Sequence, residues 1–171
     1  MQLSRFGFVA LAVMLSSSFA RAEATRLTNP NSVNVEFLGR GLMYSVDYDR
    51  VVNDDIVAGV GIGSTTMRNQ DGSDPGVSTI LIPVYASYYF SRDQGSFYLT
   101  AGADIVTNSG ALNGLKSTFG GMNFNSNAVL ATFGVGYENR SDAGFIFRVA
   151  AYGIYASSLN PWGGLTLGYA F

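Results

Sequence analysis

The last twelve residues, NPWGGLTLGYAF (residues 160–171), decide how the rest of the chain is interpreted. Counting back from the end in steps of two gives Phe171, Tyr169, Leu167 and Leu165, all large and apolar. The residues between them are alanine, glycine and threonine. A period of two is that of a β-strand, whose successive side chains point to opposite faces. The stretch therefore predicts a strand with one apolar face and one small, uncharged face, and the second face does not suit a water-exposed surface.

The composition extends this interpretation to the whole chain. Of the 171 residues, 47% are hydrophobic and only 13% are charged, and 21 are glycine. A soluble domain carries about a quarter charged residues. The chain has no histidine and no cysteine, so it can build neither a Ser-His-carboxylate arrangement nor a His or Cys zinc site. We therefore expect no enzyme and no cofactor, and the net charge of −2 gives no electrostatic support for nucleic-acid binding.

The first 22 residues are typical of a secretory signal peptide. Arg5 precedes an apolar stretch from Phe6 to Leu15, and Ala20-Arg21-Ala22 has the small-x-small form of a cleavage site. A membrane anchor is the alternative, but the apolar stretch is too short to span a bilayer. We predict a signal peptide over residues 1–22, cleaved after Ala22, then a lead segment over residues 23–31 and a barrel domain over residues 32–171.

Alternating segments recur along the exported chain and are separated by turn residues. The connections after residues 50, 90 and 138 are short and polar, whereas those after residues 67 and 107 are long. Alternation of short and long connections is typical of an up-and-down barrel in an outer membrane, with tight turns at one rim and longer loops at the other. The sequence therefore predicts an all-β protein, an antiparallel up-and-down transmembrane β-barrel.

The number of strands depends on Gly39-Arg40-Gly41. The apolar positions change parity across it, from Val33, Val35 and Phe37 to Leu42, Tyr44, Val46 and Tyr48. A hairpin and a β-bulge both produce such a change. A hairpin gives eight strands and a bulge gives seven, and we favour eight because single-chain bacterial barrels have even strand counts.

A secreted soluble barrel of the lipocalin kind has a similar length, but its apolar face packs inward. Its outer face would then be the weakly charged set of side chains, which is too poor in charge for water. Placing the apolar face in lipid removes this conflict. The aromatic side chains on that face would form an interfacial girdle: Tyr44, Tyr48, Tyr88, Phe90, Phe97, Tyr137, Phe145, Tyr169 and Phe171.

The opposite face should line a narrow interior. We expect a lumen charge network of Glu36, Asp47, Asp104 and Arg148, and a lumen plug of Tyr85, Tyr98, Tyr152 and Trp162. A carboxylate pair could in principle act as acid and base, but a buried charge network that fills the barrel is the favoured interpretation. An eight-stranded barrel is about wide enough for side chains alone, so we expect no open pore.

Two segments of the chain also resemble known proteins. VEFLGRGLMYSVDYDR (residues 35–50) and NPWGGLTLGYAF are similar to the opening and closing segments of a group of small bacterial outer-membrane β-barrel proteins. The resemblance implies the fold and a location in the outer membrane of a Gram-negative bacterium, with membrane lipid as a partner. The final strand resembles the signal that the barrel-assembly machinery recognises during biogenesis, through Leu165, Leu167, Tyr169 and Phe171.

The long connections are the remaining candidates for function. Residues 108–125 carry Leu112, Leu115, Phe119, Met122 and Phe124, so this loop either covers the barrel mouth or contacts an extracellular partner. Asp71 and Asp74 form only a weak calcium motif, since their spacing does not fit an EF-hand. The sequence as a whole predicts an integral outer-membrane barrel with a structural, anchoring or surface-interaction role. The alternative is a narrow permeation or ligand-binding barrel for small or hydrophobic compounds.

Overall fold

The computed structural model describes residues 25–67, 77–107, 129–155 and 158–171. A short helix, α1 (Thr25–Thr28), precedes eight strands. The strands are β1 (Asn31–Phe37), β2 (Tyr44–Val51), β3 (Ile56–Met67), β4 (Val77–Tyr89), β5 (Gly95–Thr107), β6 (Val129–Arg140), β7 (Phe145–Tyr155) and β8 (Leu159–Ala170). The predicted signal peptide over residues 1–22, the loop over residues 108–125 and the segment with Asp71 and Asp74 lie outside the described residues.

The strands form a closed barrel in sequence order. Each strand pairs antiparallel with the next, and β1 also pairs antiparallel with β8. Val35 thus lies between Val46 of β2 and Leu167 of β8. Just beyond β8, the backbone of Phe171 donates to Asn31 O at 2.8 Å and accepts from Asn31 N at 3.1 Å. The prediction of an eight-stranded antiparallel barrel is therefore confirmed.

The connection between β1 and β2 is a hairpin, as the eight-stranded interpretation requires, but its detail differs from the prediction. The alternation predicts Leu42 on the outer apolar face, but the structure buries it. Leu38 and Leu42 have positive φ angles of 63° and 64°, in the left-handed region, so the backbone turns inward before β2 begins at Tyr44. Leu42 therefore packs inside the barrel.

The two ends of the barrel are built differently. We call the end with the short connections 52–55, 90–94 and 141–144 the turn end, and the opposite end, where the 38–43 hairpin lies, the loop end. Helix α1 and Phe171 are at the turn end. Side chains order these turns: Asn53 Oδ1 accepts hydrogen bonds from the backbone nitrogens of Asp55 and Ile56 at 3.0 and 2.8 Å. At the same turn end, Arg92 Nε donates a hydrogen bond to Asp55 Oδ1, and this bond raises the pKa of Arg92.

The outer face of the barrel is apolar on every strand. Large hydrophobic side chains that would be buried in a soluble domain are exposed, among them Ile62, Phe97, Val135 and Leu167. Exposed aromatic rings gather near the turn end, and three pairs meet edge to face: Tyr88 with Phe90, Phe97 with Tyr137, and Phe145 with Tyr169. Tyr44 lies at the loop end. Within the described ranges, no helix has the length and apolar character needed to cross a membrane.

Candidate functional site: the charged barrel interior

A set of charged side chains, most of them from inward-facing strand positions, lies inside the barrel and is almost fully buried. They form two groups, which we name by position. The turn-end cluster is Arg26, Asp49, Glu138, Arg140 and Arg148, and the loop-end cluster is Glu36, Arg40, Asp47 and Asp104. Buried charges are costly unless they are paired and hydrogen-bonded, so the partners of each group determine what the interior can do.

Glu138 is the centre of the turn-end cluster. It lies directly opposite Arg148 on the neighbouring strand, and Arg148 Nε contacts Glu138 Oε2 at 2.6 Å. Arg148 Nη1 contacts Asp49 Oδ2, also at 2.6 Å. Arg26 Nη2 and Arg140 Nε approach Glu138 Oε1 at 3.2 and 3.4 Å. One carboxylate is thus surrounded by three guanidinium groups, and their attraction offsets much of the free-energy cost of removing it from water.

Arg26 reaches this cluster from outside the strands. It belongs to α1, and its guanidinium lies 3.9 Å from the centre of the Tyr89 ring. Arg26 Nη1 also donates to Ser91 O at 3.0 Å. The residues after α1 are also bound to the barrel. Arg140 Nη1 donates a hydrogen bond to Asn29 O, and Val51 N donates one to Pro30 O. The predicted lead segment is therefore docked into the turn end from residue 26 onward.

Arg40 enters the barrel from the opposite end. Its backbone nitrogen donates to Glu36 Oε2 at 2.9 Å, and its Nη1 and Nη2 donate to Thr100 Oγ1 and Tyr152 Oη at 3.2 and 3.3 Å. The guanidinium lies 3.4 Å from the centre of the Tyr85 ring. Tyr152 Oη in turn donates to Glu36 Oε1 at 2.7 Å. The arginine of the first hairpin is thus an interior residue.

The glycines beside Arg40 make this inward course sterically feasible. A Cβ on Gly39 would lie 2.0 Å from Glu36 Cδ, and one on Gly41 would lie 2.7 Å from the backbone oxygen of Tyr44. Both distances are shorter than real contacts of a Cβ atom. Close packing against Glu36 and β2 therefore favours glycine on both sides of Arg40.

Two acidic side chains of the loop-end cluster are incompletely paired. Asp47 Oδ2 accepts from Ser45 Oγ at 2.9 Å, but its Oδ1 has no hydrogen-bond partner. Asp104 is 0% exposed, and neither of its carboxylate oxygens has a partner. Within the part of the chain that the structure describes, no three His, Cys, Asp or Glu side chains are arranged to hold a metal ion.

The predicted charge network is divided by the structure. Glu36, Asp47, Asp104 and Arg148 all lie inside the barrel, but Arg148 bonds to Asp49 and Glu138 rather than to the other three. The reason is position along the barrel, since Arg148 lies near the turn end of β7. Sequence analysis missed Glu138 and Arg140 because it placed a turn directly after residue 138, whereas β6 continues to Arg140. Continuing the alternation of Gly134 and Gly136 would have placed both residues inside.

The predicted aromatic plug lies against interior glycines. Tyr85, Tyr98 and Tyr152 are buried, and an added Cβ would come within 2.3 to 2.6 Å of their rings at Gly59, Gly136 and Gly134 respectively. Trp162 is only half-buried and lies at the loop end, where its Nε1 donates to Leu38 O at 2.6 Å. Three tyrosines therefore occupy the space that the missing glycine side chains leave, and the tryptophan packs beside the first hairpin.

An apolar layer, which sequence analysis did not single out, fills the interior nearest the loop end. Its members come from the first hairpin and from four strands, and each is at most 1% exposed: Leu42, Leu81, Val106, Leu130 and Ile154.

The residues of the proposed assembly signal point outward, away from the barrel interior. Leu165, Leu167, Tyr169 and Phe171 are exposed on the outside of β8 and its end.

Comparison with known proteins supports this description of the fold. No protein-family model matches the chain, and no curated protein matches its sequence. The N-terminal β-barrel domain of Pseudomonas aeruginosa OprF superposes with a TM-score of 0.58 at 16% identity, covering 84% of this chain and 98% of that one. The Yersinia pestis outer membrane protein Ail superposes with a TM-score of 0.51 at 14% identity, covering 84% and 99%. The fold is that of small outer-membrane barrels.

Proposed function

We propose that the protein is an integral β-barrel of a bacterial outer membrane, exported with a cleaved signal peptide, with a structural, anchoring or surface-interaction role and no catalysis. The observation that carries this proposal is the inverted distribution of side chains. The outer wall exposes large apolar residues on all eight strands, and the charged residues of those strands are mostly inside. Burying apolar surface contributes about 25 cal/mol per Å², so such a wall is stable in lipid and unstable in water.

The closed sheet is consistent with a membrane environment. Every strand has two hydrogen-bonded neighbours, so no edge presents unpaired backbone groups to hydrocarbon. The aromatic rings near the turn end would lie at one interface, where amphipathic rings are favoured. Both chain ends of the barrel are at this rim, which corresponds to the periplasmic side in barrels of this topology.

The filled interior argues against a pore. Arg26 occupies the turn end, the ring of Tyr85 with Arg40 crosses the middle, and the apolar layer with Leu42 occupies the loop end. Transport through the lumen would require the side chains at all three levels of the barrel to move aside. The functional surfaces are therefore the two rims and the loops, with residues 108–125 as the candidate contact for an extracellular partner.

Assembly would depend on the outward side chains of the last strand. We propose that the barrel-assembly machinery recognises Leu165, Leu167, Tyr169 and Phe171, because these four are exposed on one face at the strand that completes the barrel. After the barrel has been inserted, outer-membrane lipid contacts these four side chains in place of the assembly machinery.

Conductance of the purified mature protein in planar lipid bilayers tests the proposal. We expect the protein to fractionate with outer membranes and to give no reproducible single-channel steps, because the interior is blocked at three levels. Reproducible steps would refute the filled-barrel role, and recovery of the protein as a detergent-free soluble monomer would refute the membrane location.

A groove in the outer wall favours one second candidate, binding of hydrophobic compounds. It has a volume of about 680 Å³ and lies across β4 to β7, where small residues such as Ala86, Ala101 and Gly153 adjoin Leu99 and Phe133. A deletion strain with altered sensitivity to hydrophobic compounds but an intact envelope would favour this candidate over an anchoring role.

A further inference from the structure

Arg40 is held as a ligand is held in a binding site. It comes from a hairpin outside the strands, and the groups that surround its guanidinium come from β1, β4, β5 and β7. The guanidinium lies over the Tyr85 ring at 3.4 Å and beside the Tyr152 ring at 5.3 Å. Aromatic walls of this kind attract cations when water is excluded.

The loop-end cluster holds more acceptor groups than cations. One guanidinium, that of Arg40, faces the carboxyl groups of Glu36, Asp47 and Asp104. Asp104 interacts electrostatically with Arg40, Glu36 and Asp47, yet both of its oxygens lack hydrogen-bond partners and the residue is fully buried. A buried carboxylate without a partner is costly, so this region of the interior has an excess of acceptors for a cation.

The hairpin that carries Arg40 has the features of an inserted arm. Its two positive-φ residues, Leu38 and Leu42, are not glycine, and such strained backbone conformations persist only where the surroundings hold them. The surroundings here are the hydrogen bond from Trp162 to Leu38 O and the burial of Leu42. The contacts of Arg40 inside the barrel would offset this backbone cost.

We propose that the loop-end cluster, with the rings of Tyr85 and Tyr152, is a binding site for a guanidinium or alkylammonium cation, and that Arg40 is its tethered occupant. A free cation of the same chemistry would occupy the site in a variant that lacks the Arg40 side chain. This inference concerns the interior alone and does not depend on the anchoring role proposed above.

Removal of the tethered cation and addition of a free one tests the proposal. Arg40→Ala should unfold at a lower urea concentration than the wild type in detergent micelles, and methylguanidinium at tens of millimolar should restore part of the difference. At ten times its dissociation constant the ligand would raise the ratio of folded to unfolded protein about tenfold. Arg92→Ala is the matched control, because Arg92 is an exposed arginine in ion pairs with Asp54 and Asp55.

The proposal predicts a selective effect. Methylguanidinium should stabilise Arg40→Ala and leave the wild type and Arg92→Ala unchanged, and sodium at the same concentration should not replace it. Adding Asp104→Asn to Arg40→Ala should weaken the rescue. Equal effects of methylguanidinium on all three proteins, or no effect on Arg40→Ala, would overturn the proposal.

A second variant covers the case in which Arg40→Ala does not fold. Since the chain has no cysteine, Arg40→Cys provides a single thiol that can be modified in urea before refolding. The aminoethyl methanethiosulfonate adduct carries an ammonium group, and the methyl methanethiosulfonate adduct is neutral. The cationic adduct should fold with a higher urea midpoint than the neutral one, and equal midpoints would show that the site does not select a cation.

Discussion

The carboxylate of Glu138 shows how a single interior residue joins distant parts of the chain. It accepts from Arg26 of the lead segment, from Arg148 of the next strand and from the hydroxyl of Tyr89, the last at 2.8 Å. In a low-dielectric interior the pairing of these groups decides whether the charges can be buried at all. The cluster therefore fixes the relative positions of α1, β4, β6 and β7.

Replacement of Arg148 by methionine should be strongly destabilising. The variant leaves Asp49 and Glu138 buried with fewer cations, and breaking a buried pair costs about 3 to 5 kcal/mol. Urea unfolding in micelles, or loss of the heat-modifiable folded band on a gel, measures the effect. The exposed Arg92→Met should leave the midpoint unchanged, and full folding of Arg148→Met would contradict the assigned network.

An interior glycine should be far less tolerant of a methyl group than an outer one. A Cβ at Gly136 would lie 2.4 Å from Tyr98 Cζ, whereas the nearest atom to a Cβ at Gly163 is 3.8 Å away. Gly136→Ala should lower stability by about 1 to 3 kcal/mol, as overpacking does, and Gly163→Ala should have little effect. Equal urea midpoints for the two variants would show that the tyrosines are not packed against glycine.

Two elements outside the strands, α1 and the first hairpin, each insert one arginine into the barrel from opposite ends. Neither insertion was predictable from alternation, because a period of two describes strands and gives no direction to residues in turns or in a lead segment. The eight strands themselves were predicted. So was the inward direction of the side chains of Glu36, Asp47, Asp104 and Arg148. The partners of these residues were not, since pairing depends on register across the barrel.

The contribution of the lead segment can be measured within α1 itself. Arg26→Ala removes contacts with Glu138, Ser91 and Tyr89 and should cost about 1 to 3 kcal/mol, less than Arg148→Met because two arginines still face Glu138. Leu27→Ala, a change on an exposed residue of the same helix, is the matched control. A urea midpoint for Arg26→Ala equal to that of Leu27→Ala would mean that the lead segment is not anchored by its arginine.

In the closed barrel, the outer surface carries the apolar residues and the interior carries most of the charged residues of the strands. This inversion could be inferred from composition, because 13% charged residues cannot cover a soluble barrel of this length. The filling of the interior could be inferred only in part. Bulky tyrosines in the narrow interior were expected, whereas their contact with glycines and the apolar layer of Leu81, Leu130 and Ile154 became apparent only when the strands were placed side by side.

Fluorescence quenching can test the orientation of the wall. A bimane probe on Leu167→Cys, the only thiol in the chain, should be quenched by nitroxide-labelled acyl chains and protected from aqueous iodide, because Leu167 lies on the outer face of β8. The probe on Asp142→Cys, in the turn between β6 and β7, should show the reverse. Iodide quenching at both sites would refute the lipid-facing wall.

The backbone contact between Asn31 and Phe171 has a consequence for biogenesis. It belongs to the junction of β1 with β8, the earliest and latest strands of the barrel to be synthesised. The ring cannot close before β8 has been synthesised, and until then β1 retains a free edge that could pair with another chain.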